Sequence, residues 1–136
     1  MTRHFFFSLL VLVFTASSVP AQTVIYTTPD HPVQAPEQGV VVQVLEDVAQ
    51  LERSLFPTLS DNPQQAEQQA RLRMQQPDWK TQEARLTRAY QAQMDARAAG
   101  VTRVPAVVFD NQSVVYGTTD VALARKMRDA GLEATP

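Results

Sequence analysis

Apolar residues fall along this chain in three rhythms, and each change of rhythm predicts a change of structure. The first is a continuous run. Residues 5–14 are Phe, Leu and Val interrupted only by Ser8, with Arg3 and His4 before them and Thr15, Ala16, Ser17 and Ser18 after. A membrane-spanning helix needs about 20 such residues, so the run is too short to anchor the chain. A charged start, a short apolar stretch and small residues are instead the pattern of a cleavable export signal. Val19 and Ala21 are small enough for the peptidase pockets, which predicts cleavage after Ala21 and a mature chain beginning at Gln22.

The second rhythm is that of strands. Residues 23–28 read TVIYTT, rich in β-branched and aromatic side chains, and predict a strand. Pro29, Pro32 and Pro36, with Asp30, His31 and Gly39 among them, predict a loop, because proline at that density suits neither helix nor central strand. Residues 40–45 read VVVQVL, a nearly continuous apolar run that predicts a strand buried on both faces.

From residue 47 the period becomes helical. Val48, Leu51 and Leu55 recur on one face, and Asp47 suits the positive start of a helix. Phe56 and Pro57 close that segment. Asn62 followed by Pro63 opens a second helix, with Asn as cap, Pro in the first turn and Gln65 at the capping-box position. Residues 64–76 are rich in Gln, Ala and Arg, which predicts a solvent-facing helix that breaks at Pro77 and Asp78. A third helix is expected over residues 80–99, with Leu86, Ala89, Tyr90 and Gln93 on one side and Tyr90 in the core, ending at Gly100. Trp79, beside that break, suits either a core or a contact role.

The last third returns to strands. Residues 104–110 read VPAVVFD and residues 113–116 read SVVY, with Asn111 and Gln112 as the turn of an antiparallel hairpin. Thr118, Thr119 and Asp120 precede a final helix over residues 121–130, with Val121, Ala124 and Met127 on one face and Gly131 at its end. The whole predicts a signal peptide over residues 1–21 and one small α/β domain over residues 22–136, with a helical insertion at about residues 47–99.

Composition narrows the chemistry. The chain has 136 residues, 12 basic and 14 acidic, and loss of Arg3 on cleavage would leave 11 basic residues and a net charge of −3. An acidic balance argues against direct binding of nucleic acid, which wants a basic face. There is no cysteine, so thiol catalysis, thiolate metal sites and disulfides are excluded. No nucleophile elbow or phosphate loop occurs, and Ser54 and Ser113 have no histidine near them in sequence. His31 is the one histidine after cleavage; with no second histidine or cysteine to share a metal, it reads as a loop residue rather than a ligand or base. Asp30, Asp110 and Asp120 could meet at one end of the sheet, but Asp110 reads more simply as a turn residue and Asp120 as a helix cap. Arg71, Arg73, Arg85 and Arg88 lie on polar helices among acids and read as a solvated face. No catalytic residue, cofactor or metal site is expected.

The order of the last elements resembles the C-terminal half of a thioredoxin-like fold, in which a cis-proline loop precedes an antiparallel hairpin and a final helix. Val104 and Pro105 stand where that proline would be, so a cis bond is expected between them. Where redox members carry two cysteines, this chain reads Pro29-Asp30-His31-Pro32, and without sulfur no disulfide exchange is possible. Residues 100–110 and 114–121, with the opening residues 24–28 and 31–33, also resemble a family of small exported proteins encoded in integrating conjugative elements among genes for type IV secretion. That resemblance implies a periplasmic, non-catalytic protein that binds or scaffolds other conjugative transfer proteins. The thioredoxin-like comparison places the partner surface at His31, Pro32, Val104, Pro105 and Ala106, with Pro105 presenting strand-edge backbone to an extended peptide. The alternative is a periplasmic peptide-binding chaperone, or an enzyme without redox activity, centred on His31 and the proline loop.

Overall fold

The computed structural model describes residues 21–132; the expected export signal, apart from Ala21, lies outside them. Strand β1 (Thr23–Thr27) pairs in parallel with β2 (Val40–Val44) and antiparallel with β3 (Ala106–Phe109), which pairs antiparallel with β4 (Ser113–Tyr116). The sheet is therefore mixed, in the order β2-β1-β3-β4. Together with helices α1 (Val48–Leu55), α2 (Pro63–Met74), α3 (Trp79–Ala98) and α4 (Val121–Asp129), it makes the α/β class that the chain's rhythms predict. The Val104-Pro105 bond is cis, and the hairpin and final helix follow it. Parallel strands need a crossover, usually a helix; here residues 28–39 make it without one.

Side chains alternate along each strand, so the sheet has two apolar faces. On one, Val24, Tyr26, Ala106, Val108 and Val114 meet Ala96 and Ala99 at the end of α3. On the other, Ile25, Val107, Phe109 and Val115 meet Val121 and Ala124 of α4. Helix α1 lays Val48 and Leu51 on Ala89 of α3. Helix α2 buries no residue, as its glutamine-rich composition predicts.

Several expectations are corrected. Residues 40–44 form an edge strand, not one buried on both faces: Val41 and Val44 are 38% and 42% exposed. An apolar run encodes strand propensity but not rank within the sheet, and only β1, β3 and β4 carry the fully buried valines and isoleucine. Tyr90 is 44% exposed, because α3 meets the core through Ala89, Ala92 and Ala96 and leaves Tyr90 beside α1, where its hydroxyl donates to Glu52. The hairpin turn is centred on Asp110 and Asn111 rather than Asn111 and Gln112: both have positive φ (54° and 53°), and Gln112 N–H donates to Phe109 O at 3.0 Å. Asp and Asn are the side-chain-bearing residues that tolerate that conformation best. Asn62 caps α2 as predicted, but Gln65 does not close a capping box. Asn62 N–H already donates to Ser60 Oγ (3.1 Å), and Gln65 Oε1 accepts from the same hydroxyl (3.0 Å).

Of the four arginines assigned to a solvated face, Arg71 pairs within its own helix, with Glu67 at 2.6 Å, while Arg73 and Arg85 are tied to other segments. Arg73 donates through Nε to Leu55 O at 3.0 Å, grips Asp78 with both terminal nitrogens at 3.0 Å and lies over the Trp79 ring. Trp79 in turn sits against Phe56, with ring centroids 5.5 Å apart. Trp79 is thus a junction contact that holds the otherwise exposed α2 to the body. Arg85 pairs with Glu46.

Candidate functional site

Strand β1 delivers its C-terminal end to the site. Thr27 there is fully buried; its carbonyl accepts from Leu45 N–H at 2.7 Å and its hydroxyl donates to the carbonyl of His31 at 2.5 Å. Pro29 and Asp30 occupy the middle of a turn closed by His31 N–H on Thr28 O (3.0 Å), a position for which proline's fixed φ is suited. The imidazole Nδ1 lies 3.3 Å from Thr28 Oγ1 on the surface. The loop is thus fixed by backbone groups and a buried threonine, while the His31 ring and Pro32 stay exposed.

Antiparallel pairing places the start of β3 against the end of β1. Tyr26 is in register with Ala106, so Val104 and Pro105 reach the same end of the sheet as Thr27 and the turn that follows it. Ala106 is fully buried, and Val104 and Pro105 are partly so. This register brings the five residues expected at the partner surface to one end of the sheet, with His31 and Pro32 contributing exposed atoms and Ala106 only support. One part of the expectation is corrected. Pro105 has no N–H, and its carbonyl accepts from Gly117 N–H at 2.9 Å because β4 pairs alongside. It does not present a free strand edge; β3 is interior to the sheet.

A cavity of about 370 Å³ opens beside Pro29, lined by Glu46, Asp47, Gln50 and Arg85 among others. Its charges cancel. Arg85 donates to both carboxylate oxygens of Glu46, and that hydrogen bond holds the Glu46 carboxyl below the usual range and raises the guanidinium. The pair joins residues 39 apart, and no local sequence signal could have found it. What could have been suspected is only that acidic residues follow β2 while arginines recur on α3.

The three aspartates do not gather. Asp110 lies at the opposite end of β3 from Pro105, where Oδ1 accepts from Gln22 N–H at 2.7 Å. Asp120 is the cap of α4, accepting from Leu123 N–H at 3.0 Å. Both roles are those their local sequences suggest. Among the described residues no group of three or more His, Cys, Asp or Glu side chains is placed to hold a metal ion, and no helix is long and apolar enough to cross a membrane.

No curated protein and no solved structure matches this chain. A protein family does, over residues 20–131, which take in the sheet, all four helices and the site just described. The chain therefore belongs to the family described as "Protein of unknown function (DUF1525)".

Proposed function

We propose that this protein is an exported, non-catalytic binding component of a conjugative DNA transfer apparatus, of the type IV secretion class, encoded by an integrating conjugative element. The observation that supports the binding part is the register of Tyr26 with Ala106, which brings Val104 to the sheet end that the exposed His31 and Pro32 also occupy. In a chain without cysteine, such a surface offers shape and hydrogen bonds rather than electron transfer. The conjugative setting rests on the sequence resemblance carried by residues 24–33 and 100–121. Export is supported by the n-region, apolar run and Val19-Pro20-Ala21 site.

The test is the frequency of DNA transfer between cells when the gene is deleted from the element and then restored. Loss on deletion and recovery on restoration are expected. Unchanged transfer in the deletion strain overturns the conjugative role. Mature protein that still carries residues 5–14, read by N-terminal sequencing of the periplasmic fraction, overturns the processed export.

A further inference from the structure

We propose that the open edge of β2 takes an extended, basic segment of a partner protein, seating one of its Lys or Arg side chains against Asp95. This deepens the binding reading above by naming a second surface and the chemistry of what it takes.

The edge itself is the first observation. Natural proteins blunt edge strands with lysine, proline, bulges or a covering element. Strand β2 reads VVVQV, with none of those residues, and pairs only with β1. Leu45 N–H is spent on Thr27 and Val40 N–H on Glu37. Alternation then turns the backbone groups of Val42 and Val44 outward, where an added strand would find them. The opposite edge, β4, has its valines fully buried, whereas Val41 and Val44 are more than a third exposed.

The second observation is a cleft of about 290 Å³ beside that edge, lined by Val24, Tyr26, Val41, Gln43, Asp95 and Asn111 among others. Asp95 is its one acidic or basic side chain; the α-amino group that cleavage after Ala21 would leave on Gln22, also in the lining, is held by Asp110 Oδ1 at 2.7 Å. No cationic side chain of the described residues pairs with Asp95; its side chain accepts only from Gln91 Nε2, at 2.8 Å. Burial first, and then the charge of Asp95, push the Tyr26 hydroxyl up, so that the ring stays neutral. The remaining polar lining is amide. With the Gln22 amino group spent on Asp110, a half-buried carboxylate that no cationic side chain pairs, among neutral side chains, calls for a cation.

Charge also chooses between occupants. A second copy pairing through β2 would bring no cation, since no basic residue lies between Glu37 and Glu46. A foreign strand carrying a basic residue on the face shared with Val41 and Gln43 satisfies both the edge and Asp95.

The experiment is a ¹⁵N–¹H NMR titration of the protein, purified as cells process it. The probe is a short blocked peptide of alternating Thr and Val with one central Arg. Shifts are expected at the amides of Val42, Val44 and Asp95. Replacing the peptide's Arg by Glu, or Asp95→Asn in the protein, should weaken binding about five- to tenfold, the scale of one partly shielded ion pair, while Asp95→Glu retains it. No binding, shifts confined to β4 or α2, equal affinity for the Arg and Glu peptides, or β2 shifts that follow protein concentration without peptide would each overturn the inference. Failure here, with DNA transfer still lost on deletion, leaves the conjugative role standing; peptide binding at β2 with unchanged transfer does the reverse.

Discussion

Arg85 on α3 holds Glu46, 39 residues earlier in the chain, through contacts of 2.5 Å at Nη2 and 3.1 Å at Nε. Glu46 follows β2 and precedes the cap of α1, so the pair ties the exit of an edge strand to the longest helix. Gln93 of the same helix adds a bond from Nε2 to Glu46 O at 3.2 Å. The fork of the guanidinium matches the carboxylate, which a lysine at that position would not do.

The acid side of the stability profile should report this pair. The folded Glu46 carboxyl titrates below its unfolded value, first because Arg85 hydrogen-bonds the charged form. Asp78 is lowered likewise by Arg73. Their contribution is full above the unfolded carboxylate values of about 4 and is lost as pH falls through the lower folded values. Melting temperature measured from pH 6 downward should fall less steeply for Glu46→Gln and Asp78→Asn than for the native protein. Parallel curves would show that the ion pairs add nothing.

Core and surface apolar residues should separate cleanly. Ile25 is 1% exposed in an interior strand, and Ile25→Ala should cost about 2–5 kcal/mol, lowering the melting temperature by roughly 10 °C or more. Leu72 on α2 is 61% exposed, and Leu72→Ala should stay within about 0.5 kcal/mol of native. Chemical denaturation of both variants measures the contrast.

The Asp110–Asn111 turn makes a conformational prediction. Asn111 has φ of 53°, a region that costs a residue with a Cβ about 1–2 kcal/mol and costs glycine nothing. Asn111→Gly should leave stability equal or slightly raised, while Asn111→Val should lower it by about 1 kcal/mol or more. Thermal melts decide, and equal loss in both would refute the turn geometry.

At the site, the buried donor should matter more than the exposed ring. Thr27→Val removes the hydroxyl that holds His31 O and keeps the side chain's shape; a loss of about 1 kcal/mol is expected, with faster hydrogen exchange across residues 28–31. His31→Ala removes an exposed ring whose hydrogen bond among the described residues is with Thr28 Oγ1 and should leave both unchanged. The reverse order would mean that the imidazole, not Thr27, organises the loop.

The N-cap of α4 offers a last measurement. Asp120 accepts from Leu123 N–H at the helix start, and the helix carries Val121 and Ala124 onto the sheet. Asp120→Ala should cost about 1 kcal/mol, and Asp120→Asn much less, by calorimetry. Equal losses would assign the effect to charge rather than to the hydrogen bond.

What the sequence determined by itself was local. TVIYT and AVVF are strands because β-branched and aromatic side chains favour extended backbone. Asp47, Asn62 and Asp120 start helices because each can satisfy amides two or three residues on. The absence of cysteine excluded thiol chemistry without any coordinates. Val104-Pro105 was placed by comparison with a fold, and the bond is cis. Tertiary structure decided everything that depends on which segments meet. It made the valine-rich β2 an edge, put Tyr90 outside the core, filled the backbone of Pro105 from Gly117, and joined Arg85 to Glu46. Propensity and capping act over a few residues and leave a signature in the string. Sheet order and ion pairing depend on contacts between segments tens of residues apart, and such contacts are chosen by the packing of the whole chain.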